Sequence, residues 1–542
     1  MKKILLLTSL LFSYTFTNAQ EEVKEEKGTL SGNLTANNQF FLRDDKIGAN
    51  TELYTRYLSG TESWLNLNYG YKGFNFNARF DVFNNSNLFN PSQAYSNSGV
   101  GFWQITKDID NINITAGYFY EQFATGTIFR AFEDRNLGLD YAVQGVRVKY
   151  KVTDNLSLKA FTGKQKFRFG LREPILKGFN AEYTWNIKDL KIESGASIFN
   201  RTMDAHSMEL VVNTINNQPA GEQFYPKYNL YVSNLYSSFI YKKFRLYAEV
   251  AHKTPEAIKN TVKENGPLEL KDGNVYYVSA TYSTKGLGIN AQYKRIERFP
   301  VRTSPNEITL DGVMNYLPSI TRQNTYRLLA RYNAVVQELG EHSFQADLVY
   351  TYKSPKKLKT QVNLNYSKVI SLQNVLLFEE IYADVSKEFS KKFKVILGLQ
   401  NIQYNQRVYE SKPDYYPFVH ALTPFGEFNY KITKTKTIRT EWQYLKTKQD
   451  QGSFINVLVE YSIAPHWSFA AGDMVNIDPV RFDKTIAAEK LHYYQFFAAY
   501  TEKATRFTLS FVKQLAGVNC TGGVCRVEPA FSGIRFTCST SF

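Results

Sequence analysis

The last nine residues of the chain read Ile534-Arg535-Phe536-Thr537-Cys538-Ser539-Thr540-Ser541-Phe542. Residues two apart in a β-strand share a face, so every second residue from Ile534 to Phe542 faces one way and the polar residues between them face the other. A strand of a soluble sandwich can end this way. An outer-membrane barrel needs such a strand, because it closes the sheet against the first strand in a bilayer that tolerates no open edge. We therefore interpret Ile534, Phe536 and Phe542 as part of a barrel-closing terminal strand.

The other end of the chain carries an export signal. Met1-Lys2-Lys3 is basic, residues 4–16 are mostly apolar, and Thr17-Asn18-Ala19 offers small residues for cleavage. This pattern predicts a secretory signal peptide over residues 1–19. Residues 20–28 are then a short periplasmic tail, and residues 29–542 form an outer-membrane β-barrel. After Phe16 no apolar run approaches the roughly 18 residues that a spanning helix needs.

Composition and periodicity favour one large barrel. The 542 residues have a mean hydropathy of −0.37 but an aromatic content of 15%, and no shift in composition marks a domain boundary. Residues 74–82 alternate Phe, Ala or Val with Asn, Arg or Asp, and residues 146–152, 455–461 and 507–511 follow the same rule. Alternation alone also suits a soluble sandwich. Together with the signal peptide and the terminal Phe, it predicts an antiparallel transmembrane barrel with a wet interior.

The connections between the predicted strands alternate in length. Short periplasmic turns are predicted at 71–73, 108–110, 153–154, 188–189, 241–242, 285–286, 390–391, 433–434, 464–465 and 502–503. Long extracellular loops are predicted at 84–100, 120–138, 167–177, 202–227, 255–272, 299–323, 406–418, 475–491 and 515–527. The predicted strands number 25, and the alternation of short and long connections breaks down between Pro300 and Asn374. Because single-chain barrels have an even number of strands, we predict 24 to 26.

The lumen of so wide a barrel can be open or plugged. Too few residues precede the first predicted strand, which starts at Thr29, to form a globular plug domain. Any occlusion must therefore come from loops folded inward, of which 202–227 and 299–323 are the longest.

The net charge is +15, and three interpretations stay open. The basic residues could line the lumen and favour anions, bind lipopolysaccharide from the loops, or solvate the periplasmic turns. The alternation places a mixed set of charged side chains inward, in which adjacent charges could equally pair with one another. The candidate pore-lining residues are Arg79, Asp81, Arg147, Lys149, Lys151, Arg327, Arg331, Arg439 and Glu441.

Few cysteines, histidines or motifs in the sequence suggest a disulfide, a metal site or a catalytic site. Cys520 and Cys525 flank Thr-Gly-Gly-Val in the last long loop, and this spacing permits a disulfide in an oxidising compartment, while Cys538 should be a free, lipid-facing thiol. His206 has an acid and a hydroxyl close by, in Asp204-Ala-His206-Ser207, and it lies in a predicted loop. No nucleophile elbow, phosphate loop or metal-ligand spacing is present, so we expect no catalytic residues, cofactor or metal.

Several features together resemble a known group of proteins. These are the signal peptide that ends in Asn-Ala-Gln, the strands rich in Tyr, Asn and Lys, the turn 384–394, and the Cys520–Arg526 hairpin before the closing Phe542. They are similar to outer-membrane barrel proteins of Bacteroidota, and more narrowly to a porin-like family carried only as a domain of unknown function. The resemblance implies the fold and the location, but no substrate and no catalytic residue.

Two functions from different classes follow. The first is a porin-like passive channel for small polar or anionic solutes. The second is a plugged barrel that acts as a scaffold or anchor for surface lipoproteins or for an export or assembly complex. The expected partners are outer-membrane lipid, lipopolysaccharide, the barrel-assembly machinery and surface proteins, with no nucleic acid.

Overall fold

The computed structural model describes residues 28–259, 266–480, 489–521 and 524–542. The predicted signal peptide and all but the last residue of the predicted periplasmic tail lie outside these ranges. The side chains of residues 519–521 are likewise outside the description.

Twenty-four long strands form one antiparallel sheet. They are β1 (Thr29–Phe41), β2 (Ser59–Tyr71), β3 (Phe74–Ser86), β4 (Tyr95–Ile109), β5 (Ile112–Phe119), β8 (Val143–Lys151), β9 (Leu156–Phe167), β10 (Gly170–Ile187), β11 (Leu190–Thr202), β12 (Asn229–Tyr241), β13 (Phe244–Lys259), β14 (Leu268–Thr284), β15 (Leu287–Glu297), β16 (Gly340–Lys353), β17 (Lys359–Ser371), β18 (Leu376–Glu388), β19 (Phe393–Tyr404), β20 (Val419–Lys431), β21 (Lys436–Leu445), β22 (Gly452–Ile463), β23 (Trp467–Pro479), β24 (His492–Glu502), β25 (Thr505–Gln514) and β28 (Phe531–Ser541).

Four short strands form two hairpins outside this sheet. β6 (Glu133–Asp134) pairs with β7 (Leu139–Asp140), and β26 (Gly517–Thr521) pairs with β27 (Val524–Glu528). The helices among the described residues are α1 (Ala205–Asn216) and the single turn α2 (Gln406–Tyr409), with a π-helical turn at Leu53–Tyr57 and a 3-10 turn at Ala220–Glu222. None of the helices in the described ranges has both the length and the apolarity for a membrane crossing.

The sheet closes on itself through its first and last strands. β1 pairs with β2 on one side and with β28 on the other, from Asn33 opposite Ser541 to Phe41 opposite Gly533. Phe542 continues the seam, because its backbone amide donates to the Gly32 carbonyl and its carbonyl accepts from the Gly32 amide (3.0 and 2.9 Å). The predicted all-β barrel is confirmed, and 24 strands fall within the predicted range.

The burial pattern is the reverse of that in a soluble protein. Along β3, Arg79 and Asp81 are each 3% exposed, whereas the neighbouring Phe80 is 43% exposed. Large apolar side chains point outward in the same way around the whole sheet. Exposing Phe costs free energy in water but not in a lipid bilayer, and a bilayer makes it costly to place charged side chains on the outer face. The sheet is therefore a membrane-spanning barrel with a polar interior.

The two ends of the barrel differ. At one end, which we call the turn end, eleven short turns join the strands, and both Thr29 and Phe542 lie there. Ten of the turns fall where the sequence predicts them, and the eleventh, between β16 and β17, was not predicted. Lys72, Lys188 and Lys242 adopt the positive φ that tight hairpins require. The opposite end, which we call the loop end, carries the long connections.

One predicted loop is wrong. The long loop expected at 167–177 is absent, because the chain reverses between Phe167 and Gly170 and the two strands extend as a hairpin. A register shift between Leu171 and Ile175 accommodates Pro174 within β10. Proline removes a ladder donor, but a bulge tolerates it, so the strand continues through this residue.

The loop 203–228 packs against the barrel wall at the loop end rather than in the lumen. Asp204 caps α1 by accepting a hydrogen bond from the Ser207 amide (2.9 Å). The apolar face of α1, at Met208, Val211 and Ile215, packs against residues of β13 and β14. The acid next to His206 therefore has a structural role as a helix cap.

Candidate functional site

The lumen is occupied by residues 298–339, which connect β15 to β16 and which we call the plug. No strand of the barrel lies within it, which explains the failed parity of the sequence-based count. The prediction that a loop beginning at 299 occludes the lumen agrees with this position, but the inserted segment runs well beyond residue 323.

The first half of the plug packs on one side of the barrel. Phe299, Val301, Met314 and Leu317 are buried with apolar residues of strands β5 to β15 and of residues 120–142, which we call the inner loop. The amide nitrogen of Gln165, on β9, donates to the Val313 carbonyl (2.7 Å). Three buried polar side chains bind further plug carbonyls, namely Arg201 to Thr303 (3.2 Å), Lys253 to Pro300 (2.8 Å) and Asn315 to Phe299 (3.2 Å).

The second half packs on the other side. Leu328 and Tyr332 are buried among residues of strands β17 to β24. The Leu328 amide donates to the side chain of Gln443 on β21 (2.6 Å). The Arg331 guanidinium lies 2.6 Å from Asp450, and the Tyr332 hydroxyl donates to the same carboxylate (3.1 Å).

These contacts span the full width of the barrel. In the ring of 24 paired strands, β9 and β21 are twelve strands apart and therefore diametrically opposite. The plug is hydrogen-bonded to both of them, through Gln165 and Gln443. It crosses the lumen and joins opposite walls.

The inner loop attaches to the wall by a buried ion network. Arg79 of β3 contacts Asp81 (2.7 Å), Glu133 (2.6 Å) and Asp140 (2.9 Å), and Lys166 of β9 bonds Asp140 as well. Burial alone would raise the pKa of Asp140, but Lys166 and Arg79 hold it below its ordinary value. The network keeps β6 and β7 against the barrel wall.

The other candidate pore-lining residues of the wall are also paired. Arg147 and Lys149 lie 3.4 and 2.9 Å from Glu121 of the inner loop. Lys151 faces the turn end, where it pairs with Asp154 (2.7 Å). Arg439 contacts three carboxylates, those of Glu427 (2.7 Å), Glu441 (2.5 Å) and Glu460 (2.9 Å). Each of these cations is therefore paired with at least one carboxylate.

Arg327 and Arg331 are placed differently from the prediction. They were assigned to the inward face of a strand, but both lie in the plug, where no barrel strand exists. The guanidinium of Arg327 donates to the Tyr493 and Lys513 carbonyls (3.3 and 3.2 Å), and its burial lowers its pKa to about 10. Sequence reasoning missed the partners of both residues because it assigned Arg327 and Arg331 to a strand. It missed Glu121 and Asp140 because they lie in the inner loop, which has no periodicity.

A cavity of about 1010 Å³ lies at the loop end, between the plug, the inner loop and the β26–β27 hairpin. Its lining is mostly apolar and aromatic, with the Arg79 network on one side. The lining includes Phe89, Phe132, Leu310, Leu317, Val335 and Val527. Arg526 fixes the hairpin over the cavity, since its guanidinium donates to the Leu88 and Leu137 carbonyls (2.6 and 2.9 Å).

The hairpin also carries the paired cysteines. The β26–β27 register places the backbone of Cys520 directly opposite Cys525. The Cys520 side chain lies outside the described residues, so the Cys520–Cys525 disulfide stays a prediction. Cys538 is a free cysteine in β28.

The whole chain, residues 1–542, matches a family described as a family of unknown function (DUF6029). The chain belongs to DUF6029. No curated protein matches its sequence. The sequence-based resemblance to a family of unknown function agrees with this assignment. The match carries no statement about porin-like function or about Bacteroidota.

Solved structures share the barrel with this DUF6029 chain at low identity. The translocation pore of the P pilus usher PapC is 10% identical, with 95% of this chain and 99% of that chain covered and a TM-score of 0.44. The ferric-catecholate import receptor Fiu of E. coli K12 is 9% identical over 96% and 82% (TM-score 0.41), and OccAB3 of Acinetobacter baumannii is 9% identical over 95% and 99% (TM-score 0.36). The likeness concerns the barrel architecture.

Proposed function

We propose that this DUF6029 protein is an outer-membrane barrel held closed by its own plug, and that it serves as a scaffold for partners at the cell surface. In this proposal the turn end faces the periplasm of a Bacteroidota cell and the loop end faces outward, as the sequence resemblance implies. The protein performs no catalysis. The observation that carries the proposal is the attachment of the plug to diametrically opposite strands, β9 and β21.

The charge distribution argues against an open anion channel. A selective pore needs charged side chains that face a continuous water path. Here Arg147, Lys149 and Arg439 are bound to carboxylates, and Arg331 is bound within the plug. The porin-like alternative therefore loses the basis on which the sequence favoured it.

Exposed aromatic side chains at the loop end support a scaffold. Tyr225 is 94% exposed and Tyr415 is 70% exposed. Both lie in the aromatic loop segments 223–226 and 414–418, outside the outward-facing band of the strands. Solvent-exposed Tyr at loop tips is typical of protein contact surfaces.

The closed state is tested by ion conductance in a planar bilayer. Arg302 and Glu338, at the two legs of the plug, form an ion pair at 2.5 Å, so a short Gly/Ser linker can replace residues 304–336 without stretching the chain. We expect no steady conductance from the wild type and large steps from the plug-deleted variant. A matched control replaces residues 206–225, in the loop between β11 and β12, and should stay closed. Steady, anion-preferring conductance by the wild type would restore the porin-like interpretation.

The scaffold role is tested by photo-crosslinking in cells. A crosslinking residue at Tyr225 or Tyr415 should capture a defined surface protein, identified by mass spectrometry. The same residue at the membrane-facing Trp103, which is 37% exposed on β4, serves as the control and should capture none. The absence of a specific protein at both loop positions would contradict the scaffold role.

A further inference from the structure

The turn end carries the whole net charge of the barrel. Residues 29–542 contain 61 Lys or Arg and 46 Asp or Glu, a net charge of +15. The eleven turns and their flanking residues contain 22 Lys or Arg and six Asp or Glu, a net charge of +16. We call this set the basic rim, and it comprises residues 71–74, 107–111, 151–156, 187–191, 241–245, 284–287, 353–359, 387–394, 431–436, 463–467 and 502–506. The remaining barrel residues together are close to neutral.

Charges within the protein do not account for the basic rim. Among the described residues, Lys151, Lys191, Lys242 and Arg245 form ion pairs with carboxylates. The other basic residues of the rim have no carboxylate within ion-pair distance in the described part of the chain. Most of these side chains are exposed, so the rim is available to an external anion.

The rim lies at the depth of the lipid headgroups. Outward-facing aromatic residues flank the turns, and such girdles mark the interface between hydrocarbon and headgroups. Those with more than a third of their surface exposed include Tyr71, Phe74, Trp185, Tyr241, Tyr352, Phe389, Tyr430 and Trp467. They place the neighbouring turns directly beyond the hydrocarbon.

Several ammonium groups stand on the lipid side of the wall. Lys107 lies over the Phe74 ring (4.2 Å), Lys242 over Tyr241 (5.1 Å) and Lys387 over Phe389 (4.9 Å). Because these rings belong to the outward girdle, the charges are directed toward the membrane surface and away from the lumen.

We propose that the basic rim binds the phosphate groups of anionic phospholipids in the leaflet at the turn end. A ring of ammonium groups at headgroup depth attracts anionic lipid and is screened by salt. An acidic protein would instead meet charges that project from the end of the barrel, whereas the cations over the girdle rings face lipid. The inference does not depend on the plug or on the scaffold function.

The test uses two tryptophans that lie beside the rim. Trp185 and Trp467 face outward next to turn residues. With Trp64, Trp103 and Trp442 replaced by Phe, fluorescence quenching by brominated lipids reports on lipid at the turn end. The protein is reconstituted in phosphatidylcholine vesicles that contain phosphatidylglycerol as a minor component, and one or the other lipid is brominated.

We expect phosphatidylglycerol to be enriched several-fold over phosphatidylcholine around the wild-type rim, and less so as salt is added. A rim variant replaces six lysines by Gln, at Lys242, Lys243, Lys356, Lys357, Lys391 and Lys392. The enrichment should fall measurably in it, because six of the 22 basic residues of the rim are removed. A control variant replaces six exposed lysines of the loop end by Gln, at Lys46, Lys227, Lys271, Lys446, Lys448 and Lys490. It should behave as the wild type.

Two results would overturn the proposal. One is quenching in the wild type by the two brominated lipids in proportion to their mole fractions, which would leave an acidic protein as the partner of the rim. The other is an enrichment in the rim variant that equals the wild type's. The migration of each unheated variant on a gel shows whether the barrel has folded. The lipid result does not depend on whether the plug closes the lumen.

Discussion

At the residue scale, Arg331 is the main polar anchor of the second half of the plug. Replacing it by Ala leaves Asp450 buried without its cation, which costs on the order of 3 kcal/mol. We expect the Arg331→Ala plug to detach intermittently, seen as brief conductance openings and as protease cleavage within residues 322–336. Arg168→Ala is the control, because Arg168 contacts the rings of Phe89, Tyr95 and Phe167 and lies outside the plug. A silent, protease-resistant Arg331→Ala protein would contradict the assignment.

The carboxylates that hold the inserted loops predict an effect of pH. Burial works to raise the pKa of Asp450, but Arg331 keeps it below the ordinary value of 3.8, and Asp140 is lowered likewise by Lys166 and Arg79. A lowered pKa contributes stability that is complete above 3.8 and is lost as pH falls through the folded value.

The wild type should therefore stay closed at neutral pH and open only as pH falls below 3.8 and through the lowered pKa of these carboxyls. Conductance recorded over a pH series checks this. In the Asp450→Asn variant, openings should be present at neutral pH. A wild type that opens on raising pH instead would show that other groups control the plug.

The cysteines give a prediction about covalent structure. Cys520 and Cys525 lie opposite each other in the β26–β27 register, and Cys538 is a free cysteine. Mass spectrometry of alkylated, unreduced protein should find one modified thiol, and reduction beforehand should raise this to three. Three modified thiols without reduction would exclude the disulfide.

The direction of charged side chains could be predicted from sequence, but their partners could not. The alternation around Arg79 and Arg147 places both inward, as in the structure. Their carboxylate partners, Asp140 and Glu121, lie in the inner loop, and no periodic pattern fixes the fold of that loop. An interpretation as pore-lining charge was therefore open at the sequence level, and the contacts changed it.

At the element scale, the terminal strand predicts a defect in assembly. Deleting residues 539–542 removes the partners of Thr35 and Asn33 on β1 and the two backbone bonds to Gly32. Each backbone group left unpaired in lipid costs at least about 2 kcal/mol. We expect the truncated chain to be absent from the membrane, measured by fractionation and immunoblotting. Thr540→Ala keeps the backbone bonds and should assemble normally, and normal levels of the truncated chain would refute the role of the seam.

The alternation of apolar and polar residues predicts some elements of the barrel correctly and others wrongly. The short turns and most strands follow from alternation, because one face must contact lipid and the other water. The first part of the plug was predicted as a long loop that could fold inward, but the part beyond residue 323 was missed, because Arg327 and Arg331 were assigned to a strand. Two signals mark the plug, namely the failed strand parity and the prolines at 300, 305 and 318, which a central strand excludes. Conversely, the long loop predicted at 167–177 is a hairpin of two strands, in which β10 accommodates Pro174 at a register shift.

At the scale of the whole molecule, the closed β-sheet with its outward apolar band predicts resistance to extraction from the membrane by salt. Because the apolar band faces outward all around, we expect the protein to stay in the membrane through a high-salt wash and to dissolve in detergent. The unheated protein should migrate differently on a gel from the heated one, since the closed sheet persists in detergent until it is heated. Full release by salt would rule out a spanning barrel.

The contact of one segment with both β9 and β21 has a mechanical consequence. A wide cylinder of 24 strands can flatten into an ellipse with little change in its hydrogen-bond ladder. A tie across one diameter prevents this, so the plug fixes the cross-section as well as filling it. Removing residues 304–336 therefore deletes an internal brace, and the opened barrel should show a broad spread of single-channel conductances in place of one value.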